Sequence, residues 1–286
     1  MKSGFVAVAG RPNVGKSTLV NALCGRKVAI VSDKPQTTRR RIRGIVNGDG
    51  HQLVLVDLPG FQRPRDALTE HMQRTVDLAI EDVDAVLFVL DGAVRSGAGD
   101  HFIARRVFAL GVPVVIALNK VDRLDAAGIA ERITEASTLG DFRALHPVSA
   151  RTGDGIDDLR AELIDLLPQG PLYFSPDQAT DEPVEAQVDE AIREQALALT
   201  REEIPHAISV EVEEVGDKVV EAVLYVETES QKGIVVGKGG AMIQPIRSRA
   251  RPEIERSLGR GIFLELRVKV KERWRRDERM LERLGI

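Results

Sequence analysis

Residues 10–17, Gly10-Arg11-Pro12-Asn13-Val14-Gly15-Lys16-Ser17, match the phosphate-cradling pattern G-x-x-x-x-G-K-[ST], and Thr18 continues the run. The residue types follow from the chemistry. Glycines let backbone N–H groups approach phosphate oxygens with no Cβ in the way. A helix opening at the end of the loop adds positive potential. Lys16 is suited to reach the β- and γ-phosphates of a bound nucleotide, and Ser17 to ligate Mg²⁺. Alone, this motif leaves ATP and GTP both open.

Three further short motifs narrow the choice. In Asp57-Leu58-Pro59-Gly60, Asp57 can hold magnesium through its water shell. Gly60 can offer its N–H to the γ-phosphate and hinge the loop that follows. In Asn119-Lys120-Val121-Asp122, a single carboxylate can accept both N1–H and the N2 amine of guanine. Adenine would leave that carboxylate unpaired, at about 1–3 kcal/mol or more. Asn119 can bond the base and tie neighbouring loops, while the Lys120 stem covers one ring face. Ser149-Ala150 can bring a backbone N–H near guanine O6. Each tetrapeptide by itself is ordinary turn chemistry. Four in this order, each at the C-terminal edge of a strand, sit where open α/β sheets bind ligands.

The elements that must position them read as a parallel α/β unit. Phe5–Ala9, Leu53–Asp57, Ala85–Leu90 and Val112–Leu118 are apolar runs with helical segments between them, and a short strand at His146–Val148 follows. A helix at Ile156–Leu167 closes the unit. Residues 1–170 are therefore expected to form a nucleotide-binding α/β domain with a mostly parallel sheet. Residues 171–183, rich in Pro and acidic side chains and preceded by Gly170, read as a linker, which Tyr173 and Phe174 could dock onto a domain. Residues 184–286 read as a smaller α+β domain in the order helix, strand, strand, helix, Gly loop, helix, strand. One helix is expected over Val184–Glu203 and strands at Ala207–Glu213, Lys218–Glu227 and Ile262–Val270. The loop, Gly237-Lys238-Gly239-Gly240, has the form G-x-x-G, which lets a nucleic-acid backbone come close but also suits a plain helix–turn–helix connection.

Composition bounds the rest. The single cysteine, Cys24, excludes an intramolecular disulfide framework, and a buried inert thiol is its ordinary fate. No stretch reaches membrane-span length and the N-terminal run is no signal peptide, so a cytoplasmic protein, at most peripheral on a membrane, is expected. The net charge of −4 conceals an asymmetry: residues 1–180 balance at 22 basic and 22 acidic, residues 181–229 carry −12, and residues 230–286 carry +8. A basic end of this kind suits nucleic acid or an anionic surface, or is simply a solvated Arg-rich helix.

Taken together, the nucleotide motifs resemble the translation-factor-like P-loop GTPases, and Lys34-Pro35-Gln36-Thr37-Thr38-Arg39 resembles the first switch of the Era family. The second half is similar to a type II KH domain and to the C-terminal domain of that family. The likeness runs through Glu202-Glu203-Ile204-Pro205, Ile234–Lys238, Leu266–Lys271 and the ending Trp274–Gly285. The resemblance implies Mg²⁺-dependent hydrolysis of GTP to GDP and phosphate. Thr38 (or Thr37) would join Ser17 and Asp57 on the metal when GTP is bound, and Lys16, Thr38 and Gly60 would act in hydrolysis. Phe61 replaces the water-orienting Gln found in many GTPases, which implies slow intrinsic turnover. Asn13 stands where relatives ligate K⁺, or is a turn-former. Gly237, Lys238, Gly239 and Gly240 would contact single-stranded rRNA at the 3′ end of the small-subunit rRNA, in a monomer that assists small ribosomal subunit assembly and touches the inner membrane peripherally. The alternative is a membrane-surface GTPase whose basic end binds anionic lipid. Arg39, Arg40, Arg41 and Arg43 could meet RNA phosphates or line a solvated strand edge. Trp274 could stack a base or anchor the tail. Pro245 and Pro252 fall within the helix expected after the G-x-x-G loop and put its packing in doubt.

Overall fold

The computed structural model describes every residue except Pro35, Gln62, Arg63 and Glu81. Pro35 of the switch-like motif thus lies outside the described residues. The chain divides into two compact units. One comprises Met1–Ala29, Thr38–Arg63 and Met72–Asp181; the other comprises Ile30–Thr37, Pro64–His71 and Glu182–Ile286.

In the first unit the order is β1 (Lys2–Ala9), α1 (Lys16–Cys24), β2 (Ile42–Gly48), β3 (His51–Asp57), α2 (Ala67–Ala79), β4 (Ala85–Asp91), α3 (Ala98–Phe108), β5 (Val114–Asn119), α4 (Ala126–Ala136), β6 (Ala144–Pro147) and α5 (Ile156–Asp165). The sheet runs β2-β3-β1-β4-β5-β6. Its pairs are parallel except β2 with β3. Strands β4 and β5 are apolar and buried almost throughout, as strands covered on both faces must be. Successive side chains of β1 go to opposite faces. Val6 and Val8 pack with Leu19 of α1 and Leu159 of α5, whereas Ala7 and Ala9 join Phe88, Val76, Ile103 and Val107. Strand β2 is absent from the sequence expectations. Its run Ile-Arg-Gly-Ile-Val-Asn-Gly has no clean alternation, and pairing with β3 from Ile42↔Asp57 to Gly48↔His51 makes it a strand. Burial pushes the Cys24 thiol up to about 12, so it stays protonated and inert.

Much of the expected linker is strapped along this unit. The Ser3 hydroxyl donates to the Pro171 carbonyl at 2.6 Å, and Gln52 Oε1 accepts from the Tyr173 and Phe174 N–H groups at 2.8 and 3.1 Å. The Tyr173 ring meets Phe5 edge-on at 4.8 Å, so the aromatic pair docks as expected. Ile45 N–H reaches the Ala179 carbonyl at 2.8 Å, and Arg43 pairs with Asp181. A proline-rich, acidic composition says that a segment lacks regular structure, not that it lacks contacts.

The second unit holds α6 (Val184–Leu199), α7 (Ile204–Ala207), β7 (Ser209–Val215), β8 (Val219–Val226), α8 (Glu229–Val236), α9 (Ile243–Leu258), β9 (Phe263–Val270) and α10 (Glu278–Arg283). Its sheet is β7-β8-β9, antiparallel then parallel. Ile192, Ala196, Ile246, Ala250 and Ile254 cover Val220, Leu224 and Leu264. The single helix expected over Val184–Glu203 is corrected to end at Leu199. Thr200 takes an extended conformation there, Glu202 turns left-handed, and α7 restarts with Pro205 in its first turn. Pro245 falls in the first turn of α9, where its missing N–H has no intrahelical partner to lose, and the helix continues through Pro252. Trp274 is fully buried and donates its indole N–H to the Ala207 carbonyl at 2.8 Å. It is an anchor, and base stacking by Trp274 is ruled out.

Candidate functional site

The phosphate loop leaves β1 at Ala9 and enters α1 at Lys16. Gly15 sits at φ 96°, left-handed, and a Cβ there would lie 2.4 Å from Asn119 Nδ2. Only glycine allows the loop and the Asn119 side chain to touch in this way. Lys16 is buried, and its ammonium donates to the Gly10 and Arg11 carbonyls at 3.2 and 3.1 Å. Burial pushes its pKa down to about 8, opposed in part by the Asp57 carboxylate. Its positive charge thus lies at the loop where phosphates would be cradled. The Arg11 side chain turns away from the loop: its Nε donates to Asp100 Oδ1 at 2.7 Å. Asp100 is buried, and its other oxygen accepts the Gly97 N–H at 2.9 Å, capping α3.

Ser17, Thr38 and Asp57 converge. The Ser17 hydroxyl donates to Asp57 Oδ2 at 2.7 Å and stands 3.0 Å from Thr38 Oγ1, which is 3.4 Å from the same carboxylate oxygen. Thr37 does not join them, because its hydroxyl donates to the Lys34 carbonyl at 2.6 Å. One carboxylate and two hydroxyls make an oxygen-only set, which fits a hard divalent cation such as Mg²⁺. Among the described residues no group of three His, Cys, Asp or Glu side chains could hold a metal. Gly60 presses on the phosphate loop, since a Cβ there would lie 2.9 Å from Pro12 Cγ. Phe61, beside it, is buried with the Arg106 guanidinium 5.6 Å from its ring centre.

The base-recognition residues lie at the ends of β5 and β6. Asn119 is buried; its Nδ2 donates to the Val14 carbonyl at 2.9 Å and its Oδ1 accepts the Ala150 N–H at 3.0 Å. It ties the phosphate loop to the Ser149-Ala150 loop, as expected. The Ser149 N–H goes to the Asp154 carbonyl, so a contact of this pair to guanine O6 must draw on the Ala150 N–H that Asn119 also uses. Lys120 Nζ donates to Asp91 Oδ2 at 2.5 Å and to the Asn13 carbonyl at 2.6 Å. Asp122 accepts the buried Ser149 hydroxyl at 2.6 Å and also accepts from Arg151. The Ser149 bond, helped by Arg151, holds the Asp122 carboxyl below the usual range, so it is ionised and accepting at neutral pH.

Several of these partners escaped sequence reasoning. Asp91 ends an apolar strand, and that position was a usable signal, because polar residues at strand tips face the ligand edge. Asp100, Arg151 and the Ser149 side chain gave none. Of the switch-flanking arginines, Arg39 is buried and Arg43 is paired with Asp181, while Arg41 is exposed.

In the second unit, Gly237-Lys238-Gly239-Gly240 links α8 to α9 as a tight turn with Lys238 and Gly239 exposed. Gly237 is left-handed, and a Cβ there would press to 2.7 Å from the Met242 N. Beside this turn lies a cavity of about 210 Å³ between α9 and β9, lined by Gln244, Arg247, Ser248, Arg251, Phe263 and Leu264. Phe263 is 55% exposed, with the Arg247 guanidinium 5.4 Å from its ring centre. Arg247 is fixed by a bond from its Nε to the Leu264 carbonyl at 3.1 Å. No sequence motif marks Arg247 or Phe263; their pairing depends on how α9 lies on β9.

Comparison with known proteins bears on both sites. Residues 5–120 match a family described as 50S ribosome-binding GTPase, and residues 203–275 match the KH domain family. The chain is 44% identical over 289 residues to the GTPase Era of Ruminiclostridium cellulolyticum, covering 99% of this chain and 97% of that protein. It superposes with a TM-score of 0.96 on a crystal structure of an Aquifex aeolicus Era variant bound to GDP·AlF4⁻, at 36% identity, covering 100% and 99% of the two chains. The same figures hold for a crystal structure of Era in complex with MgGDPNP and nucleotides 1506–1542 of 16S ribosomal RNA.

Proposed function

The chain is a GTPase of the Era family, and we propose that it is a Mg²⁺-dependent GTP switch that grips single-stranded rRNA with its KH domain to assist small-subunit assembly. The observation that carries the reading is the convergence of Thr38 on Ser17 and Asp57. Thr38 lies outside the phosphate loop, so its arrival there links the switch-like motif to the metal position. A family relative solved with MgGDPNP and a 16S rRNA segment supports the same pairing of nucleotide and RNA. The 50S in the first family's description belongs to a match over residues 5–120 only, whereas the full-length likeness is to the chain solved with 16S rRNA.

In this reading Ser17 and Thr38 ligate the magnesium and Asp57 holds its water shell. Bound there, the ion neutralises charge on the β- and γ-phosphates. Lys16 exchanges the Gly10 and Arg11 carbonyls for phosphate oxygens, and the Gly60 N–H meets the γ-phosphate. Water attacks the γ-phosphorus, the bond to the β–γ bridging oxygen breaks, and GDP and phosphate leave. Phe61 cannot orient that water by hydrogen bonding, so positioning and charge stabilisation carry a slow turnover. Asn13, at a left-handed φ of 65°, is the candidate K⁺ ligand, and replacing K⁺ by Na⁺ should then slow hydrolysis. Asp122 selects guanine.

The RNA half of the proposal places the strand's backbone against Gly237–Gly240 and a base in the cavity beside Phe263. No helix among the described residues is long and apolar enough to cross a membrane. The test is a binding assay on the full chain with a single-stranded 3′-terminal small-subunit rRNA fragment, with anionic vesicles as competitor. The proposal expects the RNA to bind and to resist the vesicles. Displacement of RNA by vesicles, or vesicle binding alone, would favour a lipid-surface GTPase instead.

A further inference from the structure

The second unit contains the segment Ile30–Thr37 as well as Glu182–Ile286. Helix α6 holds that segment near both ends. The Val31 N–H donates to Glu194 Oε1 at 2.9 Å. At the other end, Arg193 Nη2 donates to the Thr37 carbonyl. The Arg193 side chain is 3% exposed, and the same nitrogen donates to Glu190 Oε1 at 2.9 Å, one turn back along the helix. A charge this deeply buried must be paired and hydrogen-bonded. Glu190 supplies the pairing. A second bond from the same nitrogen goes to a main-chain carbonyl that belongs to the peptide unit joining Thr37 to Thr38.

That peptide unit is planar and rigid, so fixing the Thr37 carbonyl also fixes the plane from which Thr38 departs. Thr38 in turn stands 3.0 Å from Ser17 Oγ and 3.4 Å from Asp57 Oδ2. Two bonds near this point are local: Thr37 to the Lys34 carbonyl, and the Lys34 N–H to Ser32 Oγ at 3.1 Å. These two shape the segment from within. Arg193 adds a tether from α6, one residue from Thr38.

We propose that Arg193 is a positioning residue for GTP hydrolysis, holding the Thr37 carbonyl so that Thr38 reaches the metal site. This rests on the reading of Thr38 as the ligand engaged in the GTP state. Because GDP does not call on Thr38 in that reading, loss of Arg193 weakens the triphosphate state selectively. An arginine that merely stabilised α6 would affect both nucleotides alike.

The test compares wild type, R193M, R193K and T38A as full chains, measuring affinity for GDP and MgGDPNP and single-turnover GTP hydrolysis. R193M keeps the stem and removes the donors. With a charge-assisted bond lost, hydrolysis should slow about tenfold and MgGDPNP affinity fall about five- to tenfold, with GDP affinity within about twofold of wild type. R193K should recover part of both losses. T38A should show the same selectivity. Wild-type hydrolysis and an unchanged MgGDPNP-to-GDP affinity ratio in R193M, or equal loss of both nucleotides, would overturn the role of Arg193. A T38A protein with unchanged ratio and rate would instead overturn the Thr38 reading beneath it. Should R193M not melt cooperatively, the ratio is read on R193K, where a shift of about threefold is expected from loss of the planar fork and an unchanged ratio refutes the role.

Discussion

The nucleotide site and the cleft proposed for RNA solve opposite problems within one chain. In the first, Lys16, Asn119, Lys120 and Asp122 are each fixed by bonds to the loops they join, and Lys16 and Asn119 are buried. In the second, the turn residues Lys238 and Gly239 and the Phe263 ring lie open to solvent. A small, multiply charged ligand rewards donors set in advance where the dielectric is low. A single strand of RNA, with stacking faces on every base, rewards an open concave wall with a charge and a ring beside it. The rigid site should therefore fail abruptly when one group is removed, and the open cleft by degrees.

The largest expected effect breaks the rigid site alone. Lys16→Ala should weaken GDP and GTP binding about a hundredfold or more, from the loss of charge-assisted bonds to phosphate. Single-stranded RNA binding by the nucleotide-free protein should be unchanged. Calorimetry with GDP and a filter-binding assay with RNA would read both; retained GDP affinity would remove Lys16 from the site. Asp122→Asn comes next. The amide offers one acceptor where guanine presents two donors, so guanine-nucleotide affinity should fall about a hundredfold, while adenine nucleotides gain nothing comparable. Equal affinities of the variant and wild type for GDP would show that Asp122 does not read the base.

The cleft should respond more gently. Phe263→Ala should lower RNA affinity about tenfold through lost stacking, without changing GTP turnover in the absence of RNA. Arg247→Ala should lower it by a similar factor and reduce the slope of affinity against salt by about one. An unaltered salt slope would mean that Arg247 meets no phosphate. The smallest effect is a pH dependence. With Lys16 at about 8 in the free protein, phosphate binding favours its charged form. GDP affinity should be nearly flat below pH 7.5 and fall as pH rises through 8, to about fourfold weaker at pH 8.5 than at pH 7. A Lys16→Met protein should lack that fall.

The same contrast governs how much the amino-acid sequence reveals. The rigid site is legible because each part is a contiguous motif at the end of a strand, and Gly10–Ser17, Asp57–Gly60 and Asn119–Asp122 carry their own spacing. Its supporting partners are less so: Asp91 and Asp100 touch the motifs only through pairings set by the order of β1, β4 and β5. In the cleft, only Gly237–Gly240 is a local signal. Arg247 and Phe263 meet because a helix face lies on a strand, which no short-range pattern encodes. Trp274 shows the converse hazard, since a lone aromatic in a basic tail suits RNA equally well until its burial against Ala207 is known. Strand β2 was hidden because its partner strand, rather than its own alternation, makes it extended.

The central claim is that occupancy of the rigid site governs the open one. Its most direct test is the affinity of the full chain for a single-stranded 3′ small-subunit rRNA fragment, measured at one salt concentration with saturating MgGDPNP and with saturating MgGDP. The account predicts tighter binding with MgGDPNP, by about tenfold or more, and loss of that difference in Thr38→Ala. Equal affinity in the two nucleotide states would contradict it.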